Sequence, residues 1–201
     1  MIFTMQKRIL SMITLLMLPM LLSGCVQAIL ATVAEVGLSV AQERTVGDAV
    51  DDAGIMLQIK EAYLQKDVNE LTTAVSIEVI EGRVFLTGSV HDPATRINAV
   101  RLAWQPKGVK EVINEIQVSK NRGLKQIATD NSISSQISGK MLLNEDIKSI
   151  NYSIETVNQI VYVMGIAQNM DESELVTDIA RTVKGVKSVV SHVRLKDDPL
   201  R

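Results

Sequence analysis

Cys25 is the only cysteine in the 201-residue chain, and it stands where a thiol can be used. Lys7 and Arg8 put positive charge near the start, an apolar stretch runs from Ile9 to Leu22, and the small residues Ser23 and Gly24 lead into the cysteine. A lone thiol builds neither a disulfide framework nor a cysteine-based metal cluster. What it offers is one sulfur nucleophile at the end of an apolar segment. The other chemistry-bearing residues are scattered. His91 adjoins Asp92 ahead of a helix and reads as a solvated loop residue. The acid pairs Asp51-Asp52 and Glu145-Asp146 fall near helix termini, where carboxylates are ordinary. No Gly-x-Ser-x-Gly, His-Glu-x-x-His or phosphate loop occurs. The expectation is a non-enzymatic protein with no catalytic residues, metal or cofactor.

The basic start, apolar run and small-residue end form the three-part layout of a secretory signal over residues 1–24. The run is too short for a permanent transmembrane helix, which needs about 20 apolar residues. Leu22-Ser23-Gly24-Cys25 resembles the lipobox of bacterial lipoproteins. That resemblance implies cleavage before Cys25, a diacylglyceryl group on its sulfur and an acylated new amino terminus. Several acyl chains make a stable anchor, at about 0.8 kcal/mol per buried CH₂. Val26 stands where an aspartate would imply inner-membrane retention, so the same resemblance implies the outer membrane, with the protein facing the periplasm. Residues 25–44 become a lipidated tether. Its stretch Ala28 to Val40 is apolar except at Thr32, Glu35 and Ser39, and either lies along the membrane or packs against the first domain.

Composition narrows the rest. The signal holds two of the 21 basic residues and none of the 23 acids, which leaves the mature chain at a net charge of −4. That balance, with 3% aromatic residues, excludes a basic nucleic-acid binder and offers no stacking platform for bases. The apolar content indicates ordered globular structure.

The chain also aligns with itself. At an offset of 77, Ile77-Glu78 falls on Ile154-Glu155, Val84 on Val161, Gly88 on Gly165 and Ala103 on Ala180. Lys107-Gly108-Val109-Lys110 matches Lys184-Gly185-Val186-Lys187 without a break. Upstream, at offset 78, Ile55, Gln58 and Ile59 fall on Ile133, Gln136 and Ile137. His91 and His192 lie opposite Gln168 and Glu115, outside the repeated pattern. The duplication gives a first unit at 45–118, a basic linker at 119–125, a second unit at 126–195 and a tail at 196–201.

Each unit reads as helix, hairpin, helix, strand. Thr45 and Asp48 have capping-box spacing, and Ile55, Ile59 and Tyr63 form one helical stripe. Val75 to Val79 alternates as a half-buried strand. Glu81-Gly82 makes the turn, and Arg83 to Val90 returns. Asp92-Pro93 starts a helix whose apolar stripe is Ile97, Val100 and Trp104, with Trp104 expected in the core. Val109 to Val118 is the last strand. In the second unit the stripes are Ile133, Ile137, Met141 and Leu175, Ile179, Val183. The hairpin turns at Asn158-Gln159, and Asn169 caps the second helix. The fold class is α+β: two tandem small domains, each a three-stranded mixed β-sheet with two helices in the order α-β-β-α-β.

This duplicated pattern resembles the BON domain of bacterial osmotic-shock proteins and envelope lipoproteins. Its carriers are the hairpin-strand glycines Gly88 and Gly165 and the Gly-Val pairs at Gly108 and Gly185. All four glycines read as structural repeat positions: Gly88 and Gly165 mark a bulge or close backbone packing in a strand rather than a ligand approach, and Gly108 and Gly185 close the preceding helix. Gln159 departs from the pattern, standing where the first copy has Gly82.

The resemblance implies a non-enzymatic outer-membrane lipoprotein that supports envelope integrity. In lipoprotein relatives, the second BON domain binds anionic phospholipid through its first helix, with an aromatic near the helix start. Here Asn131, Ser132 and Ile133 stand there. The basic linker residues Lys120, Arg122 and Lys125 are phospholipid-binding candidates, each adding about 1 kcal/mol near an anionic surface. Lys140, Met141 and Leu142 extend them at the far end of the helix. The alternative is an adaptor or periplasmic holdase that binds envelope proteins, its membrane contact being the lipid alone.

Overall fold

The computed structural model describes residues 43–66, 70–119, 123–199 and 201. The signal, Cys25, most of the tether, Lys120 and Arg122 lie outside the described residues.

The first helix, α1 (Val46–Lys66), begins at the expected capping box. The Asp48 amide donates to Thr45 Oγ1 at 3.1 Å, and the Thr45 amide donates back to Asp48 Oδ2 at 3.3 Å. Ile55, Ile59 and Tyr63 are buried on one face, as their spacing predicts. A short helix, α2 (Glu70–Ala74), leads into β1 (Val75–Ile80), β2 (Arg83–Val90), α3 (Pro93–Ala103) and β3 (Glu111–Val118). The second copy runs α4 (Leu124–Leu142), a 3₁₀ turn (Ser149–Asn151), β4 (Tyr152–Val157), β5 (Ile160–Ala167), α5 (Met170–Thr182) and β6 (Ser188–Leu195).

Each copy closes its own three-stranded sheet, ordered β1-β2-β3 and β4-β5-β6. The hairpin pairs antiparallel and the last strand pairs parallel to the central one, so the sheets are mixed. The caps agree with the sequence: Asp92 accepts from the Thr95 amide at 3.0 Å, and Asn169 from the Glu172 amide at 2.9 Å.

β2 is buried at every position from Arg83 to Val90. A strand covered on one face would alternate. The inner side chains Val84, Leu86 and Val90 pack with Ile55, Ile59 and Tyr63 beneath the helices. The outer ones belong to a second cluster, in which Phe85 and Ile113 meet Val157, Tyr162 and Met164 of the other copy. Ile133, Ile137, Val161, Val163, Val176 and Ala180 form the corresponding core beneath α4 and α5. The layers are therefore helices, sheet, sheet, helices, with the outer faces of the two sheets buried against each other.

One sequence expectation fails in α3. Trp104 is 51% exposed and Ile97 64%, whereas Ala99, Leu102 and Ala103 are buried. The stripe of Ile97, Val100 and Trp104 exists, but α3 turns the face with two alanines inward because small side chains let it sit close to the sheet.

Candidate functional surfaces

Among the described residues no three histidine, cysteine or acidic side chains cluster as metal ligands. What the fold builds instead is an interface between the copies and a set of outward-facing helices.

The interface has a pseudo-two-fold character legible residue by residue. Phe85 packs edge-on against Tyr162, its own counterpart at offset 77, with ring centroids 6.4 Å apart. His192 Nε2 lies 2.8 Å from Glu115 Oε1, and these two are also counterparts. Glu78 and Glu155, a third such pair, approach closely enough to repel. Burial raises the Glu78 carboxyl above its usual range, and the Glu155 charge pushes the same way. A diad between identical units brings each axial residue onto its own copy. His192 therefore sits at a structural contact between domains.

Polar bonds complete this interface. The Gln117 amide group donates to the Val157 carbonyl and to the Tyr162 hydroxyl, both at 3.1 Å, and accepts from Asn158 at 2.7 Å. Arg83, only 7% exposed, donates to Glu111 at 2.8 Å and to the His192 carbonyl at 3.3 Å. The Arg83 bond holds the Glu111 carboxyl below its usual range, with Arg83 and Arg194 adding their charge.

Two buried carboxylates escaped the sequence reading. Asp52 on α1 accepts from the Glu81 and Gly82 amides, each at 2.8 Å. Asp130 on α4 accepts from the Asn158 and Gln159 amides, each at 2.9 Å. Both hairpin turns place their two central residues at positive φ, Gln159 included at 68°, which type I′ turns require. The available signal was that Asp52 falls on Asp130 at offset 78, the same register as the helix stripe.

The four repeat glycines have structural explanations. A Cβ on Gly88 would lie 2.0 Å from the Ala74 carbonyl oxygen, and one on Gly165 would lie 2.5 Å from that of Asn151. Gly108 and Gly185 hold φ near 100°, where side chains are strained, and press against Ile55 and Ile133.

The phospholipid candidates separate. Met141 is 1% exposed and belongs to the core beneath α4, so it is not a surface contact. The helical period that sends Ile133 and Ile137 inward carries Met141 with them. Lys125 and Lys140 are exposed, and Leu142 is 74% exposed. Leu143, at 86%, continues the apolar end of the helix. Lys140 Nζ donates to Thr182 Oγ1 at 3.3 Å, joining this end of α4 to α5. Among the described residues no helix is long and apolar enough to cross a membrane.

The duplicated α-β-β-α-β plan coincides with two matches to the family model for the BON domain, at residues 51–120 and 129–197. The chain belongs to the BON-domain family. Among similar proteins, an uncharacterised protein encoded in the region 5′ of gshII in Anaplasma centrale is 47% identical over 153 residues. That match covers 76% of this chain and 99% of the relative. The outer membrane lipoprotein DolP of Haemophilus influenzae is 28% identical, over 88% of this chain and 91% of its own. The osmotically-inducible protein Y of Escherichia coli is 30% identical, over 75% and 76%.

Proposed function

We propose that this chain is a lipid-anchored protein of the outer membrane, non-enzymatic, which supports envelope integrity from the periplasmic side. Cys25 carries the acyl anchor, and the paired BON domains form the body it holds. The second domain meets anionic phospholipid through the exposed end of α4, where Lys140 stands beside Leu142 and Leu143, while Lys120 and Arg122 in the linker and Lys125 in the first turn of α4 add charge.

One observation supports the reading above the others. The two sheets spend their outer faces on each other, so helices are what the molecule presents outward, and α4 ends in two leucines 74% and 86% exposed. Exposed apolar side chains beside a cation suit the headgroup boundary, where charge attracts and apolar area inserts. The likeness to an outer membrane lipoprotein over 88% of the chain supports the location.

Metabolic labelling with a fatty-acid probe tests the anchor: label on the wild type and none on Cys25→Ala is the expected result. Flotation of the unlipidated mature chain with phosphatidylglycerol vesicles tests the second domain. Binding should fall with salt and with Lys140→Glu. Failure to float, with envelope proteins retained on the chain, would favour the adaptor or holdase reading.

A further inference from the structure

The strongest unassigned surface lies on the first domain. From Pro93 to Lys110 the sequence contains Arg96, Arg101, Lys107 and Lys110 and no acid. Ile97, Arg101 and Trp104 recur at i, i+4 and i+7, one outward face of α3, with Ile97 64% and Trp104 51% exposed. Arg96 flanks the same stripe. No carboxylate among the described residues forms an ion pair with Arg96 or Arg101; Lys110, by contrast, has Asp48 nearby.

The second copy supplies an internal comparison. At the same offset, Ile97, Arg101 and Trp104 become Glu174, Asp178 and Arg181 on α5. There Arg181 donates to Asp178 at 2.9 Å, an exposed i,i+3 pair on an ordinary solvated face. One fold position thus carries a self-compensated polar face in one copy and a cationic, apolar one in the other. Packing within the domain does not demand the difference, because Ala99, Leu102 and Ala103 fill the core side.

We infer that the outer face of α3, made by Ile97, Arg101 and Trp104 with Arg96 beside them, is a contact for an anionic lipid surface. Tryptophan favours the boundary between headgroups and acyl chains, where its ring is buried and its indole N–H stays near water. Arginine complements phosphate, and isoleucine adds inserted area. The choice of lipid over an acidic protein rests on the membrane-anchored reading above. This surface is separate from the end of α4, so the two can fail independently.

Trp104 is the only tryptophan in the chain, so its emission reports this face alone. The mature chain carrying Cys25→Ser is mixed with phosphatidylcholine vesicles, with and without phosphatidylglycerol, some containing lipids brominated on the acyl chain. The expected result is a blue shift and bromine quenching with phosphatidylglycerol present, reversed by salt. Ile97→Glu with Arg101→Asp, which installs the second copy's own residues, should weaken this at least about tenfold with the circular dichroism spectrum unchanged. Glu174→Gln on the matching face of α5 should leave the quenching in place. Flotation without quenching of Trp104 would overturn the α3 contact and leave the α4 contact standing. Equal quenching by phosphatidylcholine alone would overturn the anionic assignment. A Trp104 shift with polyglutamate and none with vesicles would overturn the lipid in favour of an acidic protein.

Discussion

Asp52 and Asp130 are the same residue used twice: each reaches from the first helix of its copy to accept both amides of the hairpin turn it faces. They are 3% and 0% exposed. A buried carboxylate with two backbone donors is a charge-assisted clamp, and each such bond contributes about 1.5–3 kcal/mol.

Removing the clamp leaves two turn amides without an acceptor. Asp52→Ala and Asp130→Ala should each destabilise the protein by about 2–4 kcal/mol. Asp→Asn should cost less, since one oxygen still accepts. Urea midpoints at neutral pH would measure this, and a near-neutral effect at either site would contradict the clamp.

Gly88 cannot gain a methyl group without moving backbone, because the nearest atom is the Ala74 carbonyl oxygen at 2.0 Å and φ is 125°. Gly88→Ala should cost about 3 kcal/mol or more. Gly54 has no neighbour within 4 Å of its virtual Cβ and lies inside α1, so Gly54→Ala should stabilise by about 0.5–1 kcal/mol. Thermal unfolding of the two variants should move in opposite directions.

Glu78 sets a pH dependence. Burial first, and the Glu155 charge second, raise its folded pKa above the unfolded value. The native state therefore binds the proton more tightly. The stability this contributes is full below the unfolded pKa and is lost as pH rises through the folded one. Glu78→Gln should raise the melting temperature at pH 7, with the gain shrinking as pH falls into the ordinary carboxylate range. A gain that grew on acidification would reverse the sign.

Phe85 and Tyr162 bind the two sheets together. Phe85→Ala should cost about 3–5 kcal/mol and weaken coupling between the copies. Trp104 reports only the first domain, whereas far-UV circular dichroism reports both. In the wild type the two unfolding curves should coincide, and in Phe85→Ala they should separate.

The sequence made some of this plain and hid the rest for identifiable reasons. Ile55, Ile59 and Tyr63 announce their face because large apolar residues recur there at i, i+4 and i+8, although the opposite face of α1 carries its own exposed apolar residues, Val46, Val50, Leu57 and Leu64. α3 misleads because it has two apolar stripes, and alanine carries little hydrophobic signal although Ala99 and Ala103 are the ones buried. β2 mixes Arg83, Thr87 and Ser89 with its apolar residues, so its pattern does not say that it is buried on both faces or that Leu86 and Phe85 enter different cores. The clamps were out of reach of local patterns, since Asp52 and Gly82 are 30 positions apart. At the site level, Met141 was misplaced by its neighbours: Lys140 and Leu142 are exposed, and the helix turns Met141 away from them.

The pseudo-diad constrains what these domains can become. Two separate identical chains would set glutamate against glutamate wherever that residue met the axis, and every substitution would appear on both sides at once. Joined in one polypeptide, the halves change independently, and Glu115 faces a histidine where symmetry would have given it a second acid. The same freedom lets α3 and α5 carry unlike faces on matching scaffolds. Covalent linkage has turned a self-complementary contact into a lock and key made by one gene.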